Sequence, residues 1–250
     1  MMKDELAVLV VSCDKYSDLW DYFFSLKNIY WHDCDIPFYI GSNTVRYSSS
    51  DIVNISIGKD ASWTENVKKM LSSIQEKYVI ILLEDFFFQD FVDNNKIHEL
   101  AHIVEEKKLD CLRLCPDPPA TRIVDKENGL GPIGIHAPYR ICTQPSIWSK
   151  EYLKKILIDG YSAWDFEKKN SSDPNRKDDA IWGTRKKYIN IHNGVERGKY
   201  YTSTIQLIKR NGLEFKTQRE GIINDQTMRF KLYKKLYTAI KYVRSYLNLV

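Results

Sequence analysis

No stretch of this 250-residue chain approaches the ~20 apolar residues that a membrane span requires. The apolar run near the start, Leu6 to Ser12, is too short for the core of a signal peptide and is expected to be a buried first strand. Paired CxxC motifs are missing, and the five cysteines (Cys13, Cys34, Cys111, Cys115, Cys142) are odd in number, so a reduced, cytoplasmic protein is expected. A strong charge of one sign is also missing. The net charge of +4 is not the footprint of a nucleic-acid binder. No HExxH frame accompanies the histidines. His98 and His102 stand four apart on a predicted helix without a third ligand, and they read, with His32 and His136, as structural. No repeat, low-complexity segment or linker divides the chain.

What is present is an alternation of apolar strands and amphipathic helices. Leu6–Ser12 has the continuous apolar character of a central parallel strand covered on both faces. Residues 18–30 place Leu19, Tyr22, Phe23, Leu26 and Ile29 on one helical face. Residues 37–41 and 51–57 read as strands. Residues 62–75 read as a helix opened by Ser62 with Glu65 three positions on, a capping-box pattern. Residues 78–83 form another dry strand. This β-α-β-β-α-β order predicts an α/β fold with a mostly parallel central sheet flanked by helices. Further on, helices are expected over 93–107 and 150–158 and from 178 towards 187, and a short strand over 110–114. A long Pro/Gly-rich loop is expected over 117–139, and strand or loop over 202–207 and 213–215. One domain is expected over 1–228, followed by a helical tail over 229–250.

The sharpest chemical feature is Glu84-Asp85, delivered by the fourth strand and followed by three phenylalanines. An unpaired buried carboxylate is costly, so such a pair calls for a cation, a metal ion or solvent. In open α/β sheets ligands bind beyond the carboxyl ends of the strands, where Glu84 and Asp85 sit together with Ser12, Cys13 and Asp14. Beside this stands the plain alternative of a solvated strand end. About 80 residues later comes Trp164-Asp165-Phe166-Glu167. A carboxylate here suits deprotonation of an attacking hydroxyl, with Glu167 favoured over Asp165 and Trp164 packing on a sugar face. The competing reading is a helix-start acid pair of dipole value only. Gln144 precedes a helix and is a candidate for the same pocket. The segment His192 to Lys199 holds two glycines among His192, Arg197 and Lys199, donors suited to phosphate, unless it is a plain solvated hairpin.

These fragments resemble GT-A glycosyltransferases of the bacterial capsule or O-antigen polysaccharide type. LAVLVVSCDKYSDLW resembles their first strand and nucleotide-binding turn, SWTENVKKMLSSI a helix that touches the nucleotide, and YVIILLEDFFF the strand whose acidic end holds a metal and the diphosphate. QPSIWSKEYLKKIL and GYSAWDFE resemble the acceptor-side half. The resemblance implies transfer of a sugar from a nucleotide-sugar donor to a glycan or lipid-linked acceptor in surface polysaccharide synthesis. It implies nucleotide contacts from Ser12, Cys13, Asp14, Tyr16, Trp63 and Asn66. It further implies Mn or Mg on Glu84 and Asp85, and diphosphate contacts from His192, Arg197 and Lys199, with His192 a further candidate metal ligand. The family motif is Asp-x-Asp, whereas here an aromatic residue, Phe86, follows the two acids, so metal-independent transfer is a live option.

Residues 229–250 contain no acid and interleave basic with apolar residues. A helix of this kind lies on an anionic membrane surface, which would hold an enzyme on the inner face of the membrane near a lipid-linked acceptor. Packing on the domain or on a partner subunit is the other reading. Two alternatives to glycosyl transfer stand: a sugar-phosphate nucleotidyltransferase, against which the absence of a Gly-rich basic loop after the first strand counts, and a non-catalytic membrane-associated binding protein.

Overall fold

The computed structural model describes residues 5–230 together with residues 232, 233, 235, 236 and 239. Of the tail expected over 229–250, the described residues are thus 229, 230, 232, 233, 235, 236 and 239, and the rest lies outside them.

Strand β1 (Leu6–Val11) is buried at every position. It pairs in parallel with β2 (Phe38–Ser42) on one side and β4 (Tyr78–Leu83) on the other, and β3 (Ile52–Ser56) adds in parallel beyond β2. Past β4 the direction reverses. β8 (Ser146–Ser149) runs antiparallel to both β4 and β6 (Cys111–Arg113), β9 (Ile181–Thr184) is parallel to β6, and β7 (Leu130–Pro132) closes the edge antiparallel to β9. The order of this eight-stranded sheet is β3-β2-β1-β4-β8-β6-β9-β7. The fold is thus α/β with a large, mostly parallel central sheet.

Side-chain alternation divides the core between the two faces of the sheet. Leu6, Val8 and Val10 pack with α1 (Trp20–Tyr30), α3 (Asn94–Glu106) and α6 (Thr202–Arg210). Ala7, Leu9 and Val11 pack with α2 (Trp63–Ser72), α4 (Lys150–Ile156) and α5 (Ala163–Ser172). Covering β1 on both faces is what a continuous apolar run demands. Helix α2 opens with the expected box: the Ser62 side chain accepts from the Glu65 N–H, and the Glu65 carboxylate accepts from the Ser62 N–H. Before α1, Asp14–Leu19 forms a 3-10 helix rather than the first turn of an α-helix.

Two assignments differ from the sequence reading. The helix expected from 178 towards 187 is strand β9, whose Ile181 and Thr184 fit between β6 and β7 and are buried there. β-branched and aromatic residues favour that pleated setting over a helix. The segment 202–207, expected as strand or loop, is helix α6; its Thr204, Leu207 and Ile208 fall at helical spacing and bury one face. Short ribbons were also hidden. Phe86–Phe88 is strand β5, paired antiparallel with β10 (Ile191–Asn193). The segment after β10 folds as a hairpin of β11 (Val195–Glu196) and β12 (Lys199–Tyr201), with β13 (Ile222–Ile223) alongside.

Candidate functional site

The chain turns at Glu84-Asp85, between β4 and β5. Because Val11 is in register with Leu83, the exit of β1 at Ser12-Cys13 lies beside the two acids. Because His192 stands opposite Phe87 and Asn193 opposite Phe86, the β10 ribbon brings residues 192–195 to their other side. The Gly194 N–H donates to the Asp85 carbonyl at 2.7 Å. A Cβ at Gly194 would lie 2.6 Å from Cε2 of Phe87, so any side chain there forces that ring to shift.

Both carboxylates are half-buried and hold their protons more tightly than usual. Burial pushes the Glu84 carboxyl up to about 8, and the charge of Asp85 adds to the effect. Burial likewise pushes Asp85 up to about 6, against hydrogen bonds from its own N–H and that of Val195. Arg219 lies close enough to lower both. Its guanidinium is forked onto Asp18, with Nε to Oδ2 at 2.7 Å and Nη2 to Oδ1 at 2.6 Å. It stacks 4.5 Å from the centre of the Tyr16 ring and also faces Tyr200. Arg219 is thus shared between Asp18 and the acid pair. The Cys13 thiol, raised by burial and then by Glu84, stands in the same field.

Among the described residues, no group of three or more His, Cys, Asp or Glu is arranged to hold a metal ion. The acid pair fits a different mode. A hard divalent cation is commonly bound by one or two carboxylates plus the phosphate oxygens of a ligand, without a cage made wholly of protein. Two adjacent carboxyl groups at a strand end supply the oxygen donors that mode needs.

The remaining candidates fall into groups. Asp14 ties strand ends together. It accepts from the N–H groups of Asn43, Thr44 and Val45, each at 3.0 Å, and from the Thr44 hydroxyl at 2.6 Å. Burial works against it, but these bonds hold its carboxyl below the usual range. The Asn43 side chain reaches Asp60, whose Oδ1 also accepts from Asn66 Nδ2 at 2.6 Å. The loops after β1, β2 and β3 thus form one polar network containing both Asp14 and Asn66. Ser12 accepts from the Trp20 indole at 2.8 Å and is buried. Trp63 packs against Phe166, 5.3 Å between ring centres.

Asp165 and Glu167 lie on helix α5, so they do not share the face that an extended segment would give them. Asp165 closes a capping box with Ser162 and pairs with Lys169. Glu167 Oε1 accepts from the Thr143 N–H and hydroxyl, both at 2.8 Å, which places it behind Gln144. Trp164 is 65% exposed, with Lys168 over its ring. Arg197 and Lys199 are exposed on the β11–β12 hairpin, whose turn uses φ of 51° at Arg197 and 78° at Gly198. The cation that reaches the acids is Arg219, which the sequence reading missed. It contacts Asp18 across 201 positions of chain, and no local pattern marks it.

A cavity of about 440 Å3 is lined by Gln144, Asp117, Lys187, His192, Asn193 and Tyr201 among others; Glu84 and Asp85 do not line it, and the β10 ribbon is what connects it to them. A larger cavity of about 830 Å3 lies by α5 and residues 135–140 and contains none of the nominated residues. No helix among the described residues is long and apolar enough to cross a membrane.

No family profile matches the chain, and no curated protein matches it. Solved structures with a similar fold include S. aureus TarS 1-349 in complex with UDP-GlcNAc, at 12% identity and a TM-score of 0.47, over 83% of this chain and 65% of that one. They also include a cytidylyltransferase from Leptospira borgpetersenii, at 8% identity and a TM-score of 0.44, over 87% of this chain and 99% of that one. A third is the bifunctional IspDF from Campylobacter jejuni, at 14% identity and a TM-score of 0.34, over 61% of this chain and 43% of that one. The chain spans less than two thirds of the length of the TarS and IspDF structures.

Proposed function

We propose that this protein is a glycosyltransferase that moves a sugar from a nucleoside-diphosphate sugar to a hydroxyl acceptor by direct displacement. The observation that carries the reading is the charge arrangement at the end of β4: two adjacent half-buried carboxylates with raised proton affinity and one guanidinium alongside. A diphosphate and a divalent cation together complete such a site, because each neutralises what the other leaves over.

In this reading Glu84 and Asp85 would hold Mn or Mg jointly with the diphosphate. When bound, the ion supplies charge stabilisation to the departing nucleoside diphosphate. Arg219 meets the remaining diphosphate charge, its guanidinium plane held against Tyr16 and aimed by Asp18. The strand-end network of Asp14, Asn43, Asp60 and Asn66 sets the width of the nucleotide crevice. Gln144, positioned by Glu167 through Thr143, lies on the acceptor side. A lipid-linked glycan at the inner membrane face, in capsule or O-antigen synthesis, is the acceptor the sequence resemblance suggests.

The test is product analysis on the full chain with UDP-, GDP-, CDP- and dTDP-hexoses and manganese. Slow release of nucleoside diphosphate, lost in Asp85→Asn, is the expected result. Release of pyrophosphate from a nucleoside triphosphate and a sugar phosphate would assign the protein to nucleotidyl transfer instead. No turnover and no nucleotide binding would leave a non-catalytic binding protein.

A further inference from the structure

The cavity of about 830 Å3 beside α5 has no part in the proposed transfer, and neither Glu84 nor Asp85 lines it. Its charge is one-sided. Arg140, Lys168, Arg176 and Lys177 line it against one carboxylate, Asp173. The wall is built on Arg140, which is 4% exposed. Its guanidinium donates to the carbonyls of Ile133 at 3.3 Å, Arg176 at 2.8 Å and Asp179 at 2.6 Å. These bonds fix the turn that carries Arg176 and Lys177, and carbonyl acceptors bring no formal negative charge to the site.

Arg176 is the cation that the fold leaves unsatisfied. Its side chain is only 12% exposed, and its Nε is buried with no hydrogen-bond partner among the described residues. Asp173 lies 3.4 Å from Nε, and Asp179 lies 3.9 Å from Nη1. The first contact lacks hydrogen-bond geometry and the second is too long for it. Both acids serve other groups: Asp173 accepts from the Asn175 N–H at 2.9 Å, and Asp179 accepts from the Tyr152 hydroxyl. Withdrawing guanidinium donors from water without a partner is costly, so the arrangement favours an added acceptor. Lys168 and Lys177 are exposed, and neither pairs with an acid among the described residues. The end of α5 draws cations through its carbonyls, which accounts for Lys168 but not for a buried guanidinium without a hydrogen bond.

We infer that this cavity is a binding site for a phosphate ester of a sugar or polyol, with Arg176, Lys177 and Lys168 meeting the phosphate. A forked guanidinium and two point charges match a multiply charged group of several oxygens better than a single carboxylate. The volume is that of a site for a whole small molecule rather than for an ion alone. Trp164 supplies the complement to the charge. It stands one turn before Lys168 on α5, is 65% exposed, and has Lys168 Nζ 5.6 Å from its ring centre, so its face is available to a sugar ring. The assignment does not depend on glycosyl transfer at the acid pair. A free sugar phosphate and a phosphodiester-linked glycan share the chemistry the site recognises.

Isothermal titration on the full chain tests it, with glucose 1-phosphate, glycerophosphoglycerol, glucose and glucuronate as probes and no metal present. At least one phosphate ester should bind, about tenfold or more tighter than glucose or glucuronate. Binding of the monoester alone identifies a free sugar phosphate as the source, and binding of the diester identifies a glycan chain. Arg176→Gln and the exposed-site variant Lys177→Gln should each weaken the bound ester about tenfold. Arg219→Lys should leave it within about twofold. Binding of neither ester overturns the inference, and glucuronate binding as tightly as the esters overturns the phosphate class. Parent affinity in both Arg176→Gln and Lys177→Gln, or loss in Arg219→Lys, moves the anion to the acid pair and overturns the site.

Discussion

Replacing Glu84 by Gln should make the ligand-free protein more stable, and only at high pH. In the folded chain the Glu84 carboxyl is raised from 4.5 to about 8. At 1.36 kcal/mol per pH unit that displacement corresponds to about 5 kcal/mol. The crevice leaves the side chain partly open to water, which screens the penalty to about 1–3 kcal/mol. The sign follows from proton binding. Between the two values the folded state holds a proton that the unfolded chain has released, so rising pH favours unfolding. Stability linked to this group is complete below about pH 4 and is lost as pH rises through about 8. Gln cannot ionise, so the variant escapes that loss. For a chain of this size a gain of 1–3 kcal/mol appears as roughly 2–10 °C in Tm. Thermal melts of parent and Glu84→Gln at pH 4 and pH 9, without nucleotide or metal, read it out. A variant no more stable than the parent at pH 9, or equally more stable at both, would refute the claim that the strand end holds an uncompensated carboxylate.

Arg219→Lys keeps the charge but loses the fork onto Asp18 and the planar stack on Tyr16. Nucleoside-diphosphate affinity should fall about tenfold while the melting temperature changes little, as isothermal titration and thermal melts will show. Gly194→Ala sets a Cβ against the buried Phe87 ring and should cost about 1–3 kcal/mol of stability in chemical denaturation.

The central sheet was legible because β1 and β4 are dry on both faces and therefore read as unbroken apolar runs. Helix α2 was legible because Ser62 and Glu65 form a local capping pattern. The later half was harder. β9 and α6 are short, and packing against β6 and against the core decides them more than any local pattern. β5 was hidden because Phe86–Phe88 looks like the continuation of a strand, whereas the chain turns at Glu84-Asp85 and pairs with a segment about a hundred residues away. The acid pair itself was visible, since acids at the end of a dry strand stand out. Its cationic neighbour was not. Arg219 reaches the site only through long-range folding, and its own stretch is ordinary polar sequence. Asp165 and Glu167 looked exposed to chemistry until α5 placed them in a cap and a loop anchor.

Isothermal titration of nucleoside diphosphates, with and without manganese, into the parent protein and Asp85→Asn tests the central claim most directly. Manganese should tighten at least one nucleoside diphosphate about tenfold or more in the parent. Asp85→Asn should abolish that increment and leave the metal-free affinity within about threefold. Equal affinity with and without manganese in the parent, or an increment that survives in Asp85→Asn, would contradict a diphosphate and a divalent ion meeting at the end of β4.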